Sequence, residues 1–269
     1  MIEISSRRNP ICVHMKKLGE SRSYRDEHGE FLCDGLKLLE EAVKSGTVIR
    51  TVITASEVPF ALPPDTCIYR AGRGLIDSLS PLKSAQDTLF SCEMPKHPEP
   101  VVISGTHILL DGVQDPGNVG TIIRTANAFG IRGVFLTGGC ADPYNPKTLR
   151  ASMGAIFRQK LFFVSDSDLA AVLRKNSGSL HCGDPQNPAK AFRVVGAVPH
   201  ADCTLVSAAD LTDTVIAIGS EGQGLSREVL ALCDETITIP IAPECQSLNA
   251  ATAAAIIIWE AARQAQAAL

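Results

Sequence analysis

The chain has 269 residues, 45% hydrophobic and 20% charged, with a formal net charge of −4. That length allows one or two domains, and that composition builds a packed core and excludes an intrinsically disordered chain. Net negative charge excludes adhesion to nucleic acid through bulk charge alone. The longest apolar run, Ala253 to Trp259, is far short of the ~20 residues a membrane-spanning helix requires, and the polar opening from Met1 to Arg8 is no secretory signal. Nine scattered cysteines with no Cys-x-x-Cys pair give no support to a metal site and read as small buried hydrophobes of a cytoplasmic protein.

In chain order, residues 1–25 carry Arg7, Arg8, Lys16, Lys17, Arg22 and Arg25 against Glu3 and Glu20, a local excess of +4. A helix follows from Leu36, apolar at Leu36, Leu39, Ala42 and Val43 and stopped by Gly46. Alternation then predicts strands at Ile49–Ala55, Cys67–Tyr69 and Thr88–Cys92, with a short helix at Leu75–Leu79. These elements make a small α/β domain. Three prolines between Met94 and Pro100 mark a stiff, extended linker, which divides the chain into residues 1–97 and 98–269.

The second part opens on a strand, at Val101–Ile103 or His107–Leu110. A glycine-containing loop and a helix to Phe129 follow, then a strand at Gly133–Leu136 and a helix at Asp168–Lys175. Beyond them come a strand at Thr214–Ile218, a helix at Ser226–Leu232, a strand at Thr236–Ile239 and a last helix from Leu248. Strands alternating with helices predict a parallel, doubly wound sheet. Residues 124–160 hold six Lys/Arg (Arg124, Arg132, Lys147, Arg150, Arg158, Lys160) against Asp142 alone, a second basic excess. Two such stretches in an acidic chain fit a local polyanion site, or an ordinary solvated surface. Residues 177–202 contain no motif.

Three segments offer chemistry. In Asp111 to Gly130, Asp115-Pro116-Gly117 makes a turn, Asn118 is placed to cap the helix and Gly130 to end it. Helical spacing puts Ile122, Ile123, Ala126 and Phe129 on the inner face and Arg124 on the outer one with Thr121 and Ala128. Arg124 is thus a ligand-binding candidate or a solvated helix arginine. In Thr214 to Leu225 a strand runs into the turn Gly219-Ser-Glu221-Gly222-x-Gly224. This is not the Gly-x-Gly-x-x-Gly of a dinucleotide site, and Glu221 would repel a pyrophosphate. In Ile237 to Asn249, Ser247 and Asn249 stand where a loop becomes a helix, a position with free backbone N–H groups that also suits plain caps. The helix beyond is apolar around most of its circumference, which points to a subunit interface.

Taken in order, Asn118-x-Gly120-x3-Arg124-x-Ala126-x2-Phe129-Gly130, Ile218-Gly219-Ser-Glu221-Gly222-x-Gly224-Leu225, Ile239-Pro240-Ile241 and Ser247-Leu248-Asn249 resemble the three motifs of the SpoU (TrmH-like) RNA ribose methyltransferases of the SPOUT superfamily. Arg150 to Arg158 is similar to that family's intermediate segment, and the N-terminal part to its small substrate-binding domain. The resemblance spans residues 107–262. It implies an α/β domain with a deep trefoil knot, preceded by an α/β RNA-binding domain, and a homodimer without metal that uses S-adenosylmethionine to methylate a ribose 2′-hydroxyl. It implies that Gly219, Ile239 and Leu248 line the cofactor pocket and that Arg124, Asn118, Glu221, Ser247 and Asn249 are the catalytic polar set. The third motif departs from the family pattern, with Ala242 to Gln246 before the serine and Ala250 after the asparagine, which puts the shape of the methionine pocket in question. The separate N-terminal part with its basic start, Arg7 to Arg25, looks more like family members acting on 23S ribosomal RNA than like minimal tRNA enzymes, so the resemblance implies rRNA before tRNA. A tRNA enzyme and a non-catalytic RNA-binding protein are the alternatives, and a nucleotide-dependent oxidoreductase lacks its glycine signature.

Overall fold

A computed structural model describes residues 2–99, 104–175, 193–199 and 203–267. The chain opens with β1 (Ile2–Ile4), α1 (Pro10–Glu20), α2 (Arg22–His28), β2 (Glu30–Asp34), α3 (Leu36–Lys44), β3 (Ile49–Thr54), β4 (Cys67–Ala71), α4 (Arg73–Leu79) and β5 (Thr88–Glu93). Next come β6 (His107–Asp111), α5 (Pro116–Ala128), β7 (Gly133–Leu136), α6 (Pro146–Ser152), β8 (Leu161–Phe163) and α7 (Asp166–Lys175). The last stretch holds β9 (Arg193–Ala197), β10 (Thr204–Leu205), β11 (Thr214–Gly219), α8 (Arg227–Leu230), β12 (Glu235–Thr238) and α9 (Ala250–Ala267). Val101–Ile103, one of the two expected opening strands, lies outside the described residues, as does most of 177–202.

By contacts the chain forms two units, Met1–Lys96 with Asp142–Arg158, and His97–Ala141 with Gln159–Leu269. In the first, a five-stranded mixed sheet runs β1-β4-β3-β5-β2, with β2 and β3 antiparallel to β5 and the remaining pairs parallel. Residues 2–34, whose first part the sequence offered only as a basic stretch over 1–25, hold two of its strands and two helices. Each helix is started by a side chain: Asn9 accepts the Ile11 N–H ahead of Pro10, and Ser21 accepts the Tyr24 N–H. The buried Cys12, Met15 and Leu18 of α1 recur every third residue, a stripe interrupted by the charges that hid it.

The segment Asp142–Arg158 belongs by sequence to the second part but packs with the first unit. Tyr144 sits 4.8 Å ring to ring from Phe31. Arg150 donates to the Ser84 carbonyl at 2.8 Å and lies 3.5 Å from the Asp34 carboxylate, and Arg158 meets Glu41 at 2.6 Å. Two of the basic residues between 124 and 160 are therefore structural. Asp142 receives the guanidinium of Arg25, which is 3% exposed and also donates to the Leu18 carbonyl at 2.8 Å.

In the second unit seven parallel strands run β10-β12-β9-β11-β6-β7-β8, the doubly wound parallel sheet expected from the alternation. One face packs Leu109, Phe135, Val215 and Ala217 against Leu169 and Leu173 of α7 and Val229 of α8. Strand periodicity turns Ile108, Leu110, Ile216 and Ile218 to the other face, where α5 and α9 bury Val119, Ile122, Ala126, Ala254 and Ile258. Strand β9, absent from the sequence reading, completes the middle of this sheet through Val194 and Val195. The register pairs Asp111 with Gly219, so the carboxyl ends of β6 and β11 lie side by side, where open α/β sheets place their ligands.

Two outcomes follow. Arg25→Ala strands the Asp142 carboxylate, 13% exposed, without its partner, and thermal unfolding should show a loss of about 3–5 kcal/mol that Arg25→Lys fails to restore fully. His107, buried in β6 and donating to the Gly105 carbonyl at 2.9 Å, has its pKa pushed down to about 4 by desolvation, with Arg132 and Lys160 adding to the effect. The unfolded chain takes up that proton near pH ~6.5, so the folded state loses stability as pH falls from there toward 4. Melting temperature measured across this window should drop, and drop less in His107→Gln.

Candidate active site

Helix α5 starts at Asp115, whose carboxylate accepts the Asn118 N–H at 2.9 Å, with Pro116 at its first position. Asp115 is therefore the cap, and the expectation that Asn118 fills that role is corrected. Released from capping, the Asn118 side chain uses both ends of its amide. Nδ2 donates to Glu221 Oε1 at 2.7 Å, and Oδ1 accepts Asn249 Nδ2 at 3.0 Å. Asn249 Oδ1 in turn accepts the N–H groups of Ala251 and Thr252 at 2.9 and 3.2 Å, capping α9. One polar chain thus ties three distant stretches together.

The turn after β11 is closed by paired backbone hydrogen bonds between Ser220 and Gly224, at 2.9 and 3.0 Å. A side chain on Gly219 would stand 2.1 Å from the Gly224 carbonyl carbon, so this position accepts no Cβ. Within the turn, Glu221 accepts backbone N–H bonds from Gln114 at 3.3 Å and Asp115 at 3.4 Å. Partial burial alone would raise the Glu221 carboxyl, yet these bonds and the one from Asn118 hold it below its ordinary value. A carboxylate therefore already occupies the N-terminal end of α5, the place where a phosphate would otherwise bind.

A cleft of about 500 Å³ opens beside this assembly, within the size range of small-molecule sites. Its walls include Gly219, Glu221, Ile239, Ser247 and Leu248 from the sequence-selected residues. Apolar side chains of Ile218, Leu225, Leu230, Ile237 and Ile257 complete much of the rest, and Glu221 is the one charged residue lining it among the described residues. No lysine or arginine faces it among the described residues, which suits a neutral or cationic ligand and not a polyphosphate.

Arg124 is exposed on the outer face of α5, with Thr121 and Ala128, and makes no ion pair among the described residues. It does not line the cleft of its own chain. Phe129, expected to face inward with Ile122 and Ile123, is 42% exposed. Sequence reasoning passed over Asp111, whose carboxylate bonds the Ser226 N–H at 2.6 Å; the one available signal was an acidic residue closing an otherwise apolar strand. It also passed over Leu230, 39% exposed and facing the cleft from α8.

A family model described as the SpoU rRNA Methylase family matches residues 105–259, and one described as an MRM3-like substrate binding domain matches residues 9–74. The chain belongs to the SpoU rRNA methylase family. It is 29% identical to the 23S rRNA (guanosine(2553)-2'-O)-methyltransferase RlmP of Bacillus subtilis, over 96% of this chain and 98% of that protein. It is 31% identical to the 23S rRNA (uridine(2479)-2'-O)-methyltransferase of Streptomyces viridochromogenes, over 96% and 91%. The crystal structure of the SpoU methyltransferase AviRb from that organism, in complex with AdoMet, superposes with a TM-score of 0.80 at 30% identity, covering 96% of this chain and 99% of that one.

The Asn118 bridge yields a direct test. Asn118→Ala leaves Glu221 and Asn249 each short of a partner, at a cost of about 1–3 kcal/mol. Calorimetric unfolding should register that loss, and binding of a ligand to the cleft should weaken with it.

Proposed function

We propose that this protein transfers a methyl group from S-adenosylmethionine to a ribose 2′-hydroxyl of 23S ribosomal RNA. The observation that carries the reading is the convergence of Gly219, Ile239 and Leu248 on one cleft whose walls are keyed to α5 through Asn118. The cleft fits the cofactor by size and by its apolar lining, and among the described residues no basic side chain lines it to repel a sulfonium. Supporting the RNA assignment, relatives that align over nearly the whole chain bear the names of 23S rRNA 2′-O-methyltransferases.

When bound, S-adenosylmethionine supplies an electrophilic methyl group. The chain's own residues must then present a ribose oxygen in line and keep water out. Asn118, Glu221 and Asn249 bond one another and so hold the walls of the cleft, and the second amide proton of Asn118 and of Asn249 is left to orient the ribose or the arginine. Ser247, exposed on the rim, offers its hydroxyl to that ribose. Arg124 binds the neighbouring phosphate and stabilises the developing alkoxide with a charge-assisted bond. A guanidinium keeps its proton under ordinary conditions, which argues for this role over that of base.

The homodimer belongs to the same reading, as do the trefoil knot and a cytoplasmic location. Trp259 at 52% exposure, Ile256 at 36% and Phe129 at 42% are apolar surface on α9 and at the end of α5 that a second copy would cover. Arg124, outside its own cleft, then serves the cleft of the partner.

Mapping ribose methylation across rRNA and tRNA from cells with and without the protein tests the substrate; a change confined to tRNA, or none, overturns the reading. Arg124→Ala should abolish methylation while binding S-adenosylmethionine normally by calorimetry. Mixing it with a cleft-blocked Gly219→Val variant should restore part of the activity, because mixed dimers hold one intact composite site. RNA affinity should fall steeply with added salt, since phosphate contacts dominate it.

A further inference from the structure

The turn from Gly219 to Leu225 supplies much of the cleft wall, yet Gly219, Gly222 and Gly224 give it few side chains with which to pack. Its position must come from tethers. Glu221 is one, reaching from the turn to Gln114, Asp115 and Asn118. The second lies at the other end of the turn. Asp111, the last residue of β6 and 8% exposed, accepts the Ser226 N–H on Oδ2 at 2.6 Å.

The strand register sets where the turn begins, since Gly219 is the partner of Asp111. The Asp111–Ser226 bond sets where it ends. The Ser226 hydroxyl is engaged elsewhere, accepting the Val229 N–H at 3.2 Å as the cap of α8. Only its backbone N–H serves Asp111. A hydrogen bond to a carboxylate is stronger than a neutral one, and burial shields this one from water.

We propose that Asp111 is a positioning residue for the cofactor cleft: by holding the Ser226 N–H it fixes the far end of the glycine turn, and so sets affinity for S-adenosylmethionine without touching it. The proposal rests on the reading that this cleft takes S-adenosylmethionine. Because Ser226 has φ −64°, a proline there keeps the backbone angle while deleting the donor. Donor and acceptor can therefore be removed separately.

Five variants of the full-length protein, four single and one double, decide the matter by calorimetric titration with S-adenosylmethionine and with its demethylated product. Asp111→Ala and Ser226→Pro should each weaken binding about tenfold or more, the size expected for losing a hydrogen bond to a charged group. Their double variant should be no weaker than either alone, since both remove one bond. Ser226→Ala, which loses only the cap, and Asp111→Asn, which keeps an accepting oxygen, should stay within about threefold of the parent, below the tenfold that marks 1.4 kcal/mol. In the methylation assay Asp111→Ala should raise KM for the cofactor and leave kcat near normal. Parent-like binding by Ser226→Pro, equal loss in Ser226→Ala and Ser226→Pro, or additive losses in the double variant would overturn the proposal. Should Asp111→Ala fail to fold, the Ser226 pair still decides it. A parent protein that binds no S-adenosylmethionine would instead overturn the underlying functional reading.

Discussion

An asparagine amide carries one donor group and one acceptor, and Asn118 commits each to a different loop. Its Nδ2 goes to Glu221 and its Oδ1 receives Asn249, so the helix after β6, the turn after β11 and the cap of α9 share one hydrogen-bonded chain. Aspartate would set a second carboxylate against Glu221, and leucine would leave both partners without a bond. A residue that must give and take at once, at a site 9% exposed, has few substitutes. The cleft is the space that remains once those three stretches are tied.

The charge of the cleft follows from that tie. Glu221 lies at the N-terminal end of α5, accepting N–H groups that would otherwise draw a phosphate, and it holds its proton less tightly than an ordinary carboxylate. The same fold plan that binds pyrophosphates in dinucleotide enzymes here fills the anion position with its own side chain. What is left is an apolar wall with exposed backbone groups and one negative charge, a setting for a sulfonium and an adenine.

Much of this was legible in the sequence. The alternation of elements between 107 and 262 gave the parallel sheet because buried strands are short apolar runs separated by amphipathic helices. The glycine turn and the Asn249 cap, with Ser247 just ahead of it, were visible as strand-to-helix transitions. Other features were not. The role of Asn118 could not be separated from capping, because Asp115, three residues earlier, is an equally good cap and only the position of Glu221 decides between them. Phe129 fits the inner helical face by angle but lies past the last covered turn of α5. Strand β9 follows a stretch without motifs, and α1 hides its apolar stripe among lysines. Tertiary partners, absent from any local window, settled each of these.

The excursion from Asp142 to Arg158 has a consequence for how the protein can be divided. The backbone leaves one unit after β5, returns to it between β7 and β8, and departs again, so a single cut at the proline-rich joint frees neither half. An isolated N-terminal fragment would lack Asp142 for Arg25, Tyr144 for Phe31 and Arg158 for Glu41. Recombination or proteolysis at that joint should therefore yield two damaged pieces.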